Sequence, residues 1–256
     1  KGLQVYGTIT KSAVATGADL VAYSGFSNSN YLQQPYNSNL GIDSTDNLSI
    51  ICWAKASNSD SGLEIIFGTG LTSVGKGRYL YLSNGIPYLD TYGGAAQQAT
   101  QAVDDGNWHH LVGIYTPSGG FVYVDGKLVA TPAFTSGYID QGGTTWFSRI
   151  GVSLTYTDPY DNGSLALFRV SNSKPSAEQV KKMYEDEKVL FQENAKATLY
   201  GSSDAVTALA FDEVTDQLHV GTSSGRSDFQ GLRRINNTTT AVTTAISAHD
   251  SFILEQ

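Results

Sequence analysis

The sequence predicts an all-β protein with one helix after the strands. Three observations indicate this class. The 256-residue chain has 27 glycines, 15 tyrosines and only 16% charged residues, a composition typical of turn-rich β proteins. Short runs of β-branched and aromatic residues recur at roughly 8–12-residue spacing between Gly, Ser and Asn, as in a β-sandwich. One segment after these runs has the apolar spacing of an amphipathic helix.

The composition also restricts the classes of function. A formal net charge of −8 argues against nucleic acid or an anionic membrane as partner, because phosphate binding needs a basic surface. The sequence has no apolar run long enough for a membrane-spanning helix. Cys52 stands in an apolar run and is expected to be a small buried side chain. The chain starts at Lys1 without a leader pattern, and we expect it to be a piece of a longer protein.

The strand pattern starts near the first residue. Two alternating runs, at residues 3–9 and 20–23, predict short strands in a lead-in that covers residues 1–25. Residues 48–56 predict the first strongly buried strand of a sandwich over residues 26–175. The further strands are predicted at residues 64–68, 78–82, 87–92, 146–151 and 164–170.

Residues 104–131 predict consecutive hairpins. Apolar side chains alternate on both faces around a Pro-Ser-Gly-Gly turn, so these strands are expected inside a sandwich. Asp125-Gly126 predicts a tight turn, since glycine accepts the positive φ of a primed hairpin turn. His109 and His110 are strand neighbours that point to opposite faces, which favours a structural pair over a shared metal or catalytic site.

A helix is predicted over residues 176–195. Ser176 is a suitable N-cap with Gln179 as its capping-box partner, and Glu178 complements the positive end of the helix. One apolar stripe follows at three-, four- and seven-residue spacing. Its members are Val180, Met183, Tyr184, Leu190 and Phe191.

Residues 196–256 predict a small separate β region. The segment 206–222 has the pattern of a strand, an acidic turn and a second strand, and it resembles a single blade of a β-propeller. Because one blade cannot bury both faces, we expect it to pack on other parts of the chain or on other copies. Arg226, Arg233 and Arg234 stand among acidic and amide residues, which predicts a solvated or subunit-facing surface rather than a phosphate site.

Residues 26–190 resemble the laminin-G-like, concanavalin A-like jelly-roll family. The resemblance is carried by Asp-Gly-Asn-Trp-His-His at 105–110 and by Val-Tyr-Val-Asp-Gly-Lys-Leu-Val-Ala at 122–130. It implies a jelly-roll β-sandwich followed by the helix. It also implies a lectin-like function, the binding of carbohydrate or protein.

The resemblance raises the question of catalysis, because β-glucanases and polysaccharide lyases share this fold. A retaining glucanase needs carboxylates about 5 Å apart in a Glu-x-Asp-x-x-Glu strand, and the sequence has no such strand. Asp212, Glu213 and Asp216 come closest, but they lie in the predicted blade turn, where acidic residues favour the bend. We therefore expect a non-enzymatic protein, with a polysaccharide depolymerase, hydrolase or lyase, as the alternative.

Calcium is the one cofactor that the resemblance implies, and none is required by the sequence. Jelly rolls of this type hold Ca²⁺ with loop oxygens. The candidate ligands here are Asp158, Asp161 and Asp60. The two loop acids could instead shape a turn around the proline between them. Where the family has an acid after Gly-x-Ile, this chain has Ala166, which departs from the family's calcium pattern.

Sugar sites combine flat aromatic rings with short polar side chains. The loop pair Tyr156 and Tyr160, with Asp158 and Asn162, is the principal candidate. Each of these tyrosines could instead be the last residue of a strand, with no role in binding. Further candidate ring platforms are Tyr92, Tyr138 and Trp146.

The order of lead-in, sandwich, helix and C-terminal β region resembles the distal parts of bacteriophage tail fibres and related virion adhesins. This resemblance implies receptor binding to a bacterial surface polysaccharide or other glycan, a homotrimer, and a location in the virion. A bacterial cell-surface adhesin is the alternative that the sequence does not separate from a phage protein.

Overall fold

A computed structural model describes residues 2–36, 47–57, 62–70, 77–91, 97–131, 146–155, 157–201 and 205–256. The chain divides into two compact units. The first comprises Lys1–Ser12 and Ala22–Tyr184, and the second comprises Ala13–Val21 and Glu185–Gln256. The described helices are too short and too polar to cross a membrane.

The first unit is a sandwich of two antiparallel sheets, as the sequence predicts. Within the described residues each sheet has seven strands. Sheet A contains, in spatial order, β1 (Gln4–Tyr6), β4 (Tyr31–Gln34), β13 (Phe147–Ile150), β6 (Leu63–Gly70), β7 (Gly77–Ser83), β8 (Ile86–Thr91) and β9 (Gln97–Gln98). Sheet B contains β12 (Lys127–Ala130), β11 (Gly119–Val124), β10 (Asp105–Thr116), β5 (Leu48–Ser57), β14 (Gly163–Ser171), β3 (Val21–Ser24) and β2 (Thr10–Ala13).

The central strands of sheet B are buried on both faces, which explains their apolar sequence. One face of β5 and β10 packs against side chains of sheet A such as Leu80 and Leu89. On the other face, Val112 and Ile114 of β10 pack against Val180 of helix α1 (Ala177–Glu187). Cys52 of β5 is fully buried, as expected, and burial raises the pKa of its thiol to about 12.

Two local signals of the sequence have their expected geometry. Asp125 and Gly126 have φ of 50° and 74°, the positive values that a type I′ turn requires. At the helix start, the Gln179 amide donates to Ser176 Oγ (3.2 Å) and the Ser176 amide donates to Gln179 Oε1 (2.8 Å). These reciprocal bonds confirm the capping box.

The α-helix is shorter than the predicted span of residues 176–195. It ends at Glu187, and a 3-10 turn, Lys188–Phe191, follows it. Such tightening is common at helix ends because it gives partners to carbonyls that the α-helical pattern leaves free.

The second unit contains a four-stranded antiparallel sheet and a hairpin. The sheet runs in sequence order through β15 (Val206–Asp212), β16 (Gln217–Thr222), β17 (Gly225–Gln230) and β18 (Arg233–Asn237), and the hairpin is β19 (Ile246–His249) with β20 (Phe252–Glu255). This meander is the arrangement that the blade-like sequence predicts.

The carboxylate of Asp212 has a structural position in this unit. It accepts the backbone amides of Val214 (3.0 Å), Asp250 (3.1 Å) and Ser251 (2.8 Å). These hydrogen bonds, that of Ser251 first, lower the pKa of Asp212. Asp212 therefore fixes its own turn and the turn of the β19–β20 hairpin.

The predicted solvated or subunit-facing surface does not include Arg226, which is buried within the chain. Its Nε donates to Asp228 Oδ1 at 2.7 Å and its Nη1 donates to Glu255 Oε2 at 2.7 Å. The ring of His219 adds a contact of 2.7 Å between Nδ1 and Asp228 Oδ1. The carboxylates offset the arginine charge, so burial of the guanidinium is tolerated.

Candidate functional site

The face of sheet A that points away from the core has an aromatic and acidic surface. The strand register brings Arg149, Gly68, Tyr79 and Asp90 into one row across four strands. Ile65, Tyr81, Tyr88 and Gln98 form the neighbouring row. Side chains of alternating residues in β7 and β8, such as Leu80 and Leu89, point instead into the core.

A cleft of about 210 Å³ lies on this face. We call it the outer cleft. Its floor is formed by strand residues of sheet A and its wall by a loop between β13 and β14. The floor residues are Leu63, Ile65, Tyr79, Tyr81 and Asp90, and the wall residues are Ser153, Thr155 and Asp158.

The tyrosines of the floor have fixed positions. A Cβ atom added to Gly68 would lie 2.7 Å from Cε1 of Tyr79, so the ring of Tyr79 rests on a backbone without a side chain. The rings of Tyr81 and Tyr88 are stacked, with centroids 5.1 Å apart and planes 7° apart. Tyr79 and Tyr81 are only 5% and 7% exposed, so a small part of each ring lines the cleft.

Hydrogen bonds to sheet A hold the wall loop in place. Nη1 of Arg149 donates to the carbonyl oxygens of Leu154 (2.7 Å) and Ser153 (3.2 Å). At the other end of the loop, the amide of Ile65 donates to the carbonyl of Asp158 at 3.0 Å. The wall is thus tied to the sheet at both ends.

Asp90 is an acid of the cleft that burial perturbs. Burial raises the pKa of its carboxyl group to about 6. Its Oδ1 atom is shielded from solvent and has no hydrogen-bond partner among the described residues. Burial, followed by the charge of Asp90, raises the pKa of the neighbouring Tyr81. An acid in this setting can accept hydrogen bonds from a ligand.

The comparison with family models identifies the sandwich. The model Laminin_G_3, described as the concanavalin A-like lectin/glucanases superfamily, matches residues 26–181. The chain belongs to this superfamily. A search of the curated proteins found no match.

Solved structures with a similar fold include domains of clostridial toxins. The binding domain of Paraclostridial Mosquitocidal Protein 1 has a TM-score of 0.57 and 11% identity over 88% of this chain and 60% of its own. The ligand binding domain of botulinum neurotoxin serotype D, in complex with N-acetylneuraminic acid, has a TM-score of 0.52 and 14% identity over 90% and 56%. The binding domain of botulinum neurotoxin DC, in complex with rat synaptotagmin II, has a TM-score of 0.52 and 11% identity over 90% and 57%.

These comparisons establish a shared fold. The chain spans 56–60% of the length of those three toxin structures. The concanavalin A-like sandwich is therefore common to them, and the ligands named for the toxins belong to the toxins.

Of the sequence-predicted ligand residues, Asp158 lines the outer cleft. Its carboxylate accepts a hydrogen bond of 2.7 Å from Oγ1 of Thr157. Asn162 is exposed just before β14, and its carbonyl accepts from Ser57 Oγ at 3.4 Å. Tyr156, Tyr92 and Tyr138 lie outside the described residues.

Tyr160 and Trp146 correct the expectation of ring platforms. Tyr160 is fully buried in the core of the concanavalin A-like sandwich, beside Phe26. Trp146 is 2% exposed and meets the edge of Tyr36 with ring centroids 5.0 Å apart. Both side chains are almost fully buried and neither belongs to the described lining of the outer cleft, so neither can serve as a platform there.

The predicted calcium ligands that the structure describes, Asp158 and Asp161, do not belong to a metal-binding cluster of described residues. Among the residues that the structure describes, no group of three or more acidic, His or Cys side chains is arranged to hold a metal. Asp60 lies outside those residues. Asp161 is exposed and acts on the buried Glu64, whose pKa is raised by burial first and by the charge of Asp161 second.

A second cavity lies on the core side of the concanavalin A-like sandwich. It measures about 240 Å³ and is mostly apolar, with Phe67, Ile150, Phe168 and Val170 in its lining. Its described lining contains neither an acidic residue nor a tyrosine. The outer cleft is therefore the better candidate for a polar ligand.

Sequence reasoning missed Tyr79, Tyr81 and Asp90. The signal was present, because the strands predicted at residues 78–82 and 87–92 correspond to the described strands Gly77–Ser83 and Ile86–Thr91. Alternation along those strands places the tyrosines opposite Leu80, and the apolar residues of a sandwich strand face the core. The polar face of sheet A follows from that pattern.

Proposed function

We propose that the chain is a non-enzymatic recognition module that binds a glycan in the outer cleft. The observation that carries this proposal is the combination of Tyr79 and Tyr81 with the buried, unpartnered oxygen of Asp90. The exposed parts of the two rings can contact C–H groups of a pyranose, and carboxylate and hydroxyl oxygens bind its hydroxyl groups.

The size of the cleft supports recognition of a short segment. Pockets that enclose drug-sized ligands measure about 300–1,000 Å³, while the outer cleft measures about 210 Å³. We therefore propose contact with one or two sugar units of a longer chain. Ser153 and Thr155 of the wall supply hydroxyl groups that can both donate and accept.

Glycan-array binding tests this proposal. We expect the wild-type chain to bind a defined set of glycans and Tyr81→Ala to lose that binding. Tyr23→Ala is the matched control, because Tyr23 is 40% exposed on β3 of the other sheet. Circular dichroism would establish that both variants are folded. Equal binding by wild type and Tyr81→Ala would exclude the outer cleft as the site.

The same array, repeated with a chelator, tests calcium. We propose that Ca²⁺ is not needed in the outer cleft, since only two acids, Asp90 and Asp158, occur in its described lining. The site should then keep its affinity in chelator. If the chelator abolishes binding and added Ca²⁺ restores it, Asp158, Asp161 and Asp60 would again be candidate calcium ligands.

A polysaccharide depolymerase is the second candidate. It is favoured by one observation, the occurrence of Asp90, with a pKa of about 6, and Asp158 in the same cleft. Glycosidases use such a pair, with one acid protonated. Incubation with capsule or lipopolysaccharide distinguishes the candidates, because hydrolysis creates reducing ends and a lyase creates unsaturated ends. Either product would contradict a purely binding role.

We further propose that the chain functions in a phage tail fibre or virion adhesin as a homotrimer. The second unit supports association, because Leu209 and Phe211 of β15 are 61% and 52% exposed. Leu218 of β16 is the register neighbour of Phe211 and continues the apolar stripe. Light scattering should give a trimer, and a monomer at micromolar concentration would contradict it. The neighbouring genes would separate a phage protein from a bacterial adhesin.

A further inference from the structure

We infer that the outer cleft selects glycans with a free amine, such as 2-amino-2-deoxy sugars, and discriminates against carboxylated sugars. This inference rests on the proposed function. The described lining has two carboxylates, Asp90 and Asp158, and contains no lysine, arginine or histidine. An anionic sugar would meet only like charge there, whereas an ammonium group would meet two opposite charges.

The nearby arginines do not belong to the described lining of the cleft. Arg149 is 2% exposed, and its guanidinium is directed behind the wall, where Nη1 binds Ser153 and Leu154 and Nε donates to Gln33 Oε1 at 2.9 Å. The guanidinium of Arg78 is also buried and lies 5.1 Å from the ring centroid of Tyr115. Both guanidinium groups therefore make their contacts within the protein.

Asp90 also has the hydrogen-bonding capacity that an amine requires. Its Oδ1 is buried and lacks a donor in the described part of the chain, and buried polar atoms of this kind are normally paired. The adjacent Tyr81, which is 7% exposed, adds the part of its ring that lines the cleft. A ligand ammonium can thus contact the acid and the ring together. A neutral hydroxyl group would supply only the hydrogen bond, and an N-acetyl group would lack the charge.

Calorimetry with three oligosaccharides tests the inference. The probes are a glucosamine oligomer, an N-acetylglucosamine oligomer of equal length, and an oligosaccharide that ends in N-acetylneuraminic acid. At neutral pH and low salt we expect the amine oligomer to bind at least about tenfold more tightly than the acetylated one, or about 1.4 kcal/mol. The sialylated probe should bind least.

Two variants separate a specific contact from general attraction to a chain of charge −8. Asp90→Asn keeps the shape of the side chain, and it should remove the preference for the amine while leaving the weaker binding of the acetylated oligomer. Asp186→Asn removes one charge from an exposed position of helix α1, and it should leave the preference intact.

The outcomes distinguish this inference from the proposed function. Three results would overturn the selectivity: equal affinity for all three probes, tighter binding of the sialylated probe, or an amine preference that survives Asp90→Asn. If Tyr81→Ala abolishes binding in any of these cases, the outer cleft is still a glycan site. If none of the probes and no glycan on the array binds, the proposed function fails and the selectivity fails with it. If Asp90→Asn and Asp186→Asn weaken the preference for the amine oligomer equally, that preference comes from the net charge of the chain and not from a contact with Asp90.

Discussion

Nδ1 of His109 lies 2.8 Å from Oδ2 of Asp125, the first residue of the tight Asp-Gly turn. The other oxygen of Asp125 accepts the backbone amide of His110 at 2.9 Å. On the opposite side of the ring, Nε2 of His109 lies 3.1 Å from Oδ1 of Asp105. The hydrogen bond to Asp125, above all, raises the pKa of His109. One histidine therefore joins strand β10 to the turn that follows β11.

This arrangement predicts a stability that depends on pH. Because the folded-state pKa of His109 is raised above 6.5, its contribution is complete below the unfolded-state pKa and is lost as pH rises through the folded-state pKa. Asparagine tolerates the positive φ of position 125, so Asp125→Asn should keep the turn and remove most of the contribution of His109. We expect the difference in unfolding free energy between wild type and variant to shrink as the pH rises from 6 to 9. A difference that stays constant in urea titrations across this range would contradict the prediction.

Asp90, like His109, should make a contribution to stability that falls as pH rises, but over a lower pH range. Its folded-state pKa is about 6 against an ordinary value of 3.8, so its contribution is complete below pH 3.8 and lost as pH rises through 6. Asp90→Asn should therefore gain about 1–3 kcal/mol relative to wild type between pH 4 and pH 7. Urea unfolding at both pH values measures this gain. Asp186→Asn serves as the control, and an equal gain in both variants would refute the role of burial.

The features that could be predicted from sequence are those encoded by neighbouring residues. Asp125-Gly126 sets its own turn, and Ser176 with Gln179 sets the helix start, because each signal and its partner lie within a few positions. The jelly-roll sandwich followed from the family resemblance, and the positions of several of its strands along the chain followed from alternation. These elements depend little on the packing of distant segments.

The outer cleft depends on distant pairings, which local patterns do not specify. Gly68, Tyr79 and Asp90 are brought into one row by strand register, and the register of β6 with β7 shifts between Ile65 and Phe67. A shift of one residue would turn the opposite set of side chains outward. Burial of Tyr160 has a similar origin, because the loop that carries it bonds back to Gly151, where the Tyr160 amide donates at 3.0 Å.

The capping box of helix α1 should contribute measurably to stability. Ser176→Ala removes the acceptor of the Gln179 amide, and loss of such a cap lowers the free energy of unfolding by about 1 kcal/mol. Ser176→Asp keeps a capping oxygen and should retain most of the stability. Thermal unfolding followed by circular dichroism compares the three proteins. Equal melting temperatures for Ser176→Ala and Ser176→Asp would show that the cap contributes nothing.

The buried ion network of the second unit predicts a destabilisation that can be located. Asp228 accepts from Nε of Arg226 at 2.7 Å, contacts His219 and accepts from Nδ2 of Asn236 at 3.2 Å. Asp228→Ala removes these acceptors and leaves the buried arginine without its main counter-charge. Removal of one partner from a buried ion pair destabilises by about 3–5 kcal/mol, whereas replacement of both by apolar residues is often neutral. Asp228→Leu combined with Arg226→Met should therefore be more stable than Asp228→Ala.

Two readouts assign this effect to the second unit. Its β15–β18 amides should exchange faster in Asp228→Ala. Tryptophan fluorescence reports on the first unit, because the three tryptophans of the chain, Trp53, Trp108 and Trp146, all belong to it. The fluorescence transition should change less than the exchange rates, since the ion network contains only residues of the second unit. If the double variant is as unstable as Asp228→Ala, the loss comes from packing, and the charge argument is wrong.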